Sequence, residues 1–74
     1  MDTIYFDIKL KIINELGTFV SSSIEISVDR YPELVELSKL FWITESSFSL
    51  TTDNGEVIFP PEILAKSILI IEKC

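Results

Sequence analysis

From Ile4 to Ile12 every even position is apolar (Ile4, Phe6, Ile8, Leu10, Ile12), while the odd positions between them read Tyr5, Asp7, Lys9 and Lys11. Side chains alternate across a strand with a period of two, so this stretch has one face to bury and one to leave wet. It is a half-buried β-strand. At about 3.3 Å per residue it runs to roughly 30 Å, which is long for so small a chain. A second alternating run places Ile24, Ile26 and Val28 on one side and Ser23, Glu25 and Ser27 on the other. Between the two lies Asn14-Glu15-Leu16-Gly17-Thr18, with Gly17 suited to a positive φ. The pair therefore reads as a long antiparallel hairpin, expected to bend or to reach past the core.

The period then changes. Asp29-Arg30-Tyr31-Pro32-Glu33 has the marks of a helix start, with Asp29 as N-cap, Pro32 in the first turn and Glu33 and Glu36 near the positive end of the dipole. Leu34, Leu37 and Phe41 form one stripe, flanked by Val35 and Leu40, over about three turns ending near Trp42. Phe48 and Leu50 alternate with Ser47, Ser49 and Thr51 in a third strand. Asn54-Gly55 suggests a type I′ hairpin turn, and Glu56 to Phe59 the return strand, stopped by Pro60-Pro61. Pro61 to Lys66 is enough for one helical turn, and Ile68-Leu69-Ile70-Ile71 is a final strand apolar on both faces.

The fold class expected is α+β: one domain over residues 1–74, a small and mostly antiparallel sheet in the order β-β-α-β-β-short turn-β, with one main helix packed on one face. A right-handed crossover by that helix would give the strand order second-first-third-fourth, leaving the place of the last strand open.

The chemistry available is limited by what is missing. The chain has no histidine, so the commonest general base is absent, together with any Ser-His or Cys-His nucleophile pair. Its single thiol, Cys74, can form neither an internal disulfide nor a four-ligand zinc site. Gly17 and Gly55 sit alone in separate turns, so no phosphate-cradling loop is present. Asp53-Asn54-Gly55-Glu56 has some residue types of a calcium loop at the wrong spacing and reads as a hairpin turn. Glu33 and Glu36 read as charges favourable at a helix N-terminus rather than as an acid–base pair. The expectation is a protein that is not an enzyme, with no catalytic, metal or cofactor-binding residues.

Twelve acidic against six basic residues give a net charge of −6, which argues against nucleic acid or an anionic membrane as a direct ligand. The apolar share of 47% is that of a globular chain, and no apolar run approaches the ~18 residues of a membrane span. The first residues lack the basic start and apolar stretch of a signal peptide, so a cytoplasmic location and a reduced Cys74 are expected.

What stands out is a surplus of apolar residues. The inward strand faces and helix stripe (Ile4, Phe6, Ile8, Leu10, Ile12, Ile24, Ile26, Val28, Leu34, Leu37, Phe41, Phe48, Leu50, Ile58) already fill a core of this size. Left over are Tyr5, Ile13, Phe19, Tyr31, Trp42, Ile43, Val57, Phe59 and half of Ile68–Ile71. A sheet with one helix has one covered face, and apolar patches on the other are where protein partners bind. The function expected is a small protein-interaction or assembly module, self-associating as a homo-oligomer or docking on a larger protein, with Tyr5, Phe19, Trp42, Phe59, Leu69 and Ile71 as candidate contact residues. The alternative is an acidic inhibitor that imitates nucleic acid toward a basic nucleic-acid-binding protein. Against it, the acidic residues Asp2, Asp7, Glu25, Glu45 and Glu72 are dispersed rather than set in a row.

Overall fold

The alternating segment at the start of the chain becomes the central strand of the protein. In the computed structural model, which describes residues 3–43 and 45–74 (Phe41 by its backbone alone), β1 spans Tyr5–Asn14, β2 Gly17–Val20 and β3 Ile24–Ser27. The helix α1 covers Tyr31–Ser38 and tightens into a 3₁₀ turn at Lys39–Trp42. Then come β4 (Phe48–Thr52), β5 (Gly55–Phe59), the one-turn helix α2 (Pro61–Leu64) and β6 (Ile68–Lys73). Among the described residues all strand pairs are antiparallel and the helices are short, consistent with the α+β class. β1 pairs with β2 and β3 along one edge and with β6 along the other.

The first hairpin bends because its return strand carries one residue too many. β2 meets β1 in the register Ile12↔Phe19, whereas β3 meets it as Ile8↔Ile24. Counting inward from these pairs, Ser21, Ser22 and Ser23 must face fewer residues of β1 than they number, which makes a β-bulge. The bulge is held by side chain as well as backbone. Ser21 N–H donates to the Leu10 carbonyl at 2.8 Å, and Ser21 Oγ accepts the Leu10 N–H at 2.8 Å. Ser22 N–H then turns out of the sheet and donates to the Thr51 carbonyl at 3.0 Å, tying the first hairpin to the second. The shift has a consequence for parity. Phe19 is odd, Ile24 and Ile26 are even, and the extra residue lets all three share the face of Phe6, Ile8, Leu10 and Ile12.

The second hairpin turns through Asp53-Asn54, so Thr52 pairs Gly55, Leu50 pairs Val57 and Phe48 pairs Phe59. Among the described residues positive φ occurs only at Gly17 (136°) and Gly55 (134°), each entering the return strand, so Asn54 does not take the type I′ conformation. The register puts Val57 and Phe59 beside Phe48 and Leu50 and turns Ile58 outward, where it is 67% exposed. The expected burial of Ile58 is thus corrected: a two-residue turn couples even positions on β4 to odd positions on β5.

Leu50, Phe59 and Leu64 close over Ile12 to form the core cluster, with Leu10, Phe19, Phe48, Val57, Ile63 and Leu69 partly buried around it. Ile8 is fully buried apart from that cluster. Phe19 and Phe59 meet edge to face, with centroids 5.2 Å apart. Other residues expected inside are not: Ile4, Ile24, Val28 and Leu37 are exposed. The side chain of Phe41 lies outside the described residues.

The strand order also departs from expectation. β4 and β5 form a two-stranded sheet of their own, and the edge of β1 assigned to the third strand is taken by β6 over six residue pairs, Ile8↔Lys73 to Ile13↔Ile68. A strand apolar on both faces gains more from lying beside β1 than the half-polar β4 would. Helix α1 begins after Arg30 rather than Asp29, with Pro32 in its first turn, and Ser38 Oγ donates back to the Leu34 carbonyl at 2.7 Å. It buries no residue completely. Leu34, Leu37 and Leu40 instead border an apolar cleft of about 270 Å³ shared with Leu10, Phe48 and Leu69. The tightly closed part of the sheet lies under β4, β5 and α2.

The bulge gives a direct test. Residue 21 is 4% exposed, so Ser21→Ala leaves the Leu10 N–H without an acceptor in a nearly dry position and is expected to cost about 1–3 kcal/mol in urea unfolding. Ser22→Ala, removing a hydroxyl that only reaches the Thr51 carbonyl at 3.4 Å, is expected to change stability by less than about 0.5 kcal/mol.

Candidate interaction surface

Because β1 is central, its odd-numbered side chains define the face opposite the core. Directly paired residues point the same way, so the register fixes the rows on this face. They read Tyr5 with Ser27, Asp7 with Glu25, Lys9 with Glu72, Lys11 with Val20 and Ile70, and Ile13 with Thr18 and Ile68. The Cα trace is only 16 Å across its shortest axis, which accommodates two layers about 10 Å apart and not three. This face is therefore open among the described residues.

The open face is divided in two. Toward Tyr5 it is charged, with Asp7, Lys9, Glu25 and Glu72 interleaved and Lys11 Nζ bound to Glu72 Oε1 at 2.9 Å. Toward the Glu15-Leu16 turn it is apolar. Val20 (40% exposed), Ile68 (58%) and Ile70 (36%) surround the half-buried Ile13. Adjacent rows make these four a continuous patch crossed by the aliphatic stem of Lys11.

β6 supplies two members of that patch and is also an edge strand. Its start is anchored at Ser67, which is 3% exposed and bonded through every polar group. Ser67 N–H donates to the Leu64 carbonyl at 3.1 Å, its Oγ donates to the Ile63 carbonyl at 2.6 Å and accepts from Asn14 Nδ2 at 3.2 Å, and its carbonyl accepts from Trp42 Nε1 at 2.6 Å. Sequence gave no signal for this serine. Nor did it single out Leu64, fully buried on the one-turn helix that precedes it.

The six candidate contact residues are not gathered into one site. Phe59 is 3% exposed and part of the core, because the hairpin register turns it inward; Phe19, half-buried, packs against it. Tyr5 is 58% exposed at the charged end of the open face. Trp42, Leu69 and Ile71 do come together: with Tyr31, Val35 and Lys39 they border a cleft of about 260 Å³ between α1 and β6. At its far end Lys73 Nζ stands 4.8 Å from the Tyr31 ring centroid, and Tyr31 in turn meets Phe6 at 5.4 Å. The surface patch of Val20, Ile68 and Ile70 was missed, since parity within an apolar run cannot be assigned until its partner strand is known.

The acidic side chains form no row. On the open face Asp7, Glu25 and Glu72 alternate with Lys9 and Lys11, which breaks any continuous line of negative charge. Among the described residues no three acidic or thiol side chains are grouped as a metal ion would require, and no helix is long and apolar enough to cross a membrane. Compared with known proteins, the chain matches no family, no curated protein and no solved structure.

Trp42 is the only tryptophan and reports on this region directly. At 44% exposure its emission is expected to be readily quenched by acrylamide in the native state. Trp42→Phe keeps an aromatic ring but removes the donor to the Ser67 carbonyl, and is expected to cost about 0.5–1.5 kcal/mol in denaturant unfolding.

Proposed function

We propose that this chain is a non-catalytic assembly module that acts by binding protein, in the first place another copy of itself. The observation that supports the reading is the apolar half of the open face, Ile13, Val20, Ile68 and Ile70, beside the edge strand β6. A domain this small buries only about 60% of the surface its unfolded chain exposes. Its core cluster has four buried side chains among the described residues, so covering further apolar area by association is a substantial stabilisation. With no histidine, the chain has no Ser–His or Cys–His pair, which favours contact over catalysis in this reading. Symmetric pairs are the commonest soluble oligomers, which favours a second copy over an unrelated partner.

Charge makes the reading testable. Two copies at −6 each repel, and salt screens that repulsion, with the Debye length falling from about 30 Å at 0.01 M to about 8 Å at 0.15 M. Sedimentation equilibrium is expected to show a concentration-dependent dimer whose dissociation constant falls severalfold over that range. Val20→Asp with Ile68→Lys is expected to weaken any further association across the open face without unfolding the chain. A strict monomer at the highest attainable concentration overturns self-association. Complex formation with a basic protein that weakens as salt rises supports the acidic-inhibitor alternative instead.

A further inference from the structure

We infer that the second copy joins edge to edge through β6, about a two-fold axis at Ile71, giving one continuous sheet across both molecules. This rests on the proposed reading of the chain as an assembly module and names its contact. The edges of the protein are not equally open to pairing. The β2–β3 edge is broken by the Ser21–Ser23 bulge, β5 runs into Pro60-Pro61, and the Thr51 carbonyl of β4 already accepts from Ser22. β6 has none of these devices: six residues in unbroken register, no proline, four consecutive apolar side chains, and a lysine only at its end.

The polar groups on that edge select the register. Cys74 N–H donates to the Asp7 carbonyl at 2.9 Å, so by the alternation of an antiparallel ladder Ile68, Ile70 and Glu72 bond to β1. The N–H and C=O groups of Leu69, Ile71 and Lys73 point away, and no described residue pairs with them. Ser67 would be the next outward residue, but its N–H is committed to Leu64 and its carbonyl to Trp42. The Trp42 indole thus ends the available edge.

With Ile71 opposite Ile71 of the second copy, Leu69 falls opposite Lys73 in both directions, and all three donors on each copy find an acceptor. Sliding toward the start of the strand calls on Ser67, which is engaged. Sliding the other way sets Glu72 directly against Glu72 of the second copy. In the Ile71 register Glu72 lies opposite Ile70 instead, and across the open face the order Lys11, Ile70, Glu72 of the second copy, Lys9 of the second copy places no like charges opposite one another.

The test is amide exchange followed by NMR at protein concentrations below and above the dissociation constant found by sedimentation. The Leu69, Ile71 and Lys73 amides are expected to exchange at least tenfold more slowly at the higher concentration, while the Ile70 and Glu72 amides, already bonded to β1, change little. Ile71→Pro removes the central outward N–H without touching the β1 ladder, and is expected to abolish the dimer while keeping the native far-UV spectrum. A chain that dimerises with unchanged exchange at those three amides overturns the β6 edge and leaves self-association standing. A chain that stays monomeric overturns both.

Discussion

The hydroxyl of Ser21 occupies the place of a missing backbone acceptor, and the shape of the molecule follows from it. By accepting the Leu10 N–H it lets the return strand take in one surplus residue without leaving a dry donor unpaired. The parity change that results is what places Phe19, Ile24 and Ile26 on the same face as Ile8 and Ile12. Without it, one half of the strand would turn its apolar residues to water, and β1 could not be flanked by a single covered face. The same kink sends Ser22 toward Thr51, so the bend in the first sheet is also the joint to the second. A local backbone irregularity sets both the curvature of the sheet and the position of its lid.

Much of this was legible in the sequence where the signals are local. The nine-residue alternation gave β1, the isolated glycines located both hairpin returns, and Pro32 and Pro61 sit in the first turns of the two helices. What failed was parity and partnership. Whether Phe59 or Ile58 faces inward depends on how many residues form the turn at Asp53-Asn54, and whether Ile24 aligns with Phe19 depends on a bulge that a run of three serines does not announce. The pairing of β6 with β1 is not local at all. Its candidate surface residues suffered accordingly: the residues selected for size and aromaticity included Phe59, which the core claims, and passed over Val20 and Ile68, which the register turns outward.

The covered face is itself uneven. Under β4, β5 and α2 the side chains close fully around Ile12, whereas Leu34, Leu37 and Val35 of α1 line open apolar clefts. Helical residues with no fully buried neighbour on their own element contribute modest hydrophobic stabilisation, since it scales with the area removed from water. Stability is thus concentrated at one end of the long hairpin. The other end is held by Ile8 and by the ring contacts of Phe6 with Tyr31.

The central position of β1 carries a consequence for how the chain reaches this state. Its partners on one side, β2 and β3, pair with it at separations of no more than 22 positions, from Tyr5↔Ser27 downward, but β6 lies 55 to 65 positions away along the chain, from Ile13↔Ile68 to Ile8↔Lys73. Closing so long a loop is slow compared with forming a hairpin. During synthesis β1 must therefore wait, its second edge bare, until Ile68–Lys73 has emerged. In that interval β1 has strand partners along its β2–β3 edge alone, and Ile12 lacks the Leu69 side chain that packs on the core in the finished sheet. The vulnerability of this protein to mispairing is greatest before it is complete, and it is the arrival of β6 that ends it.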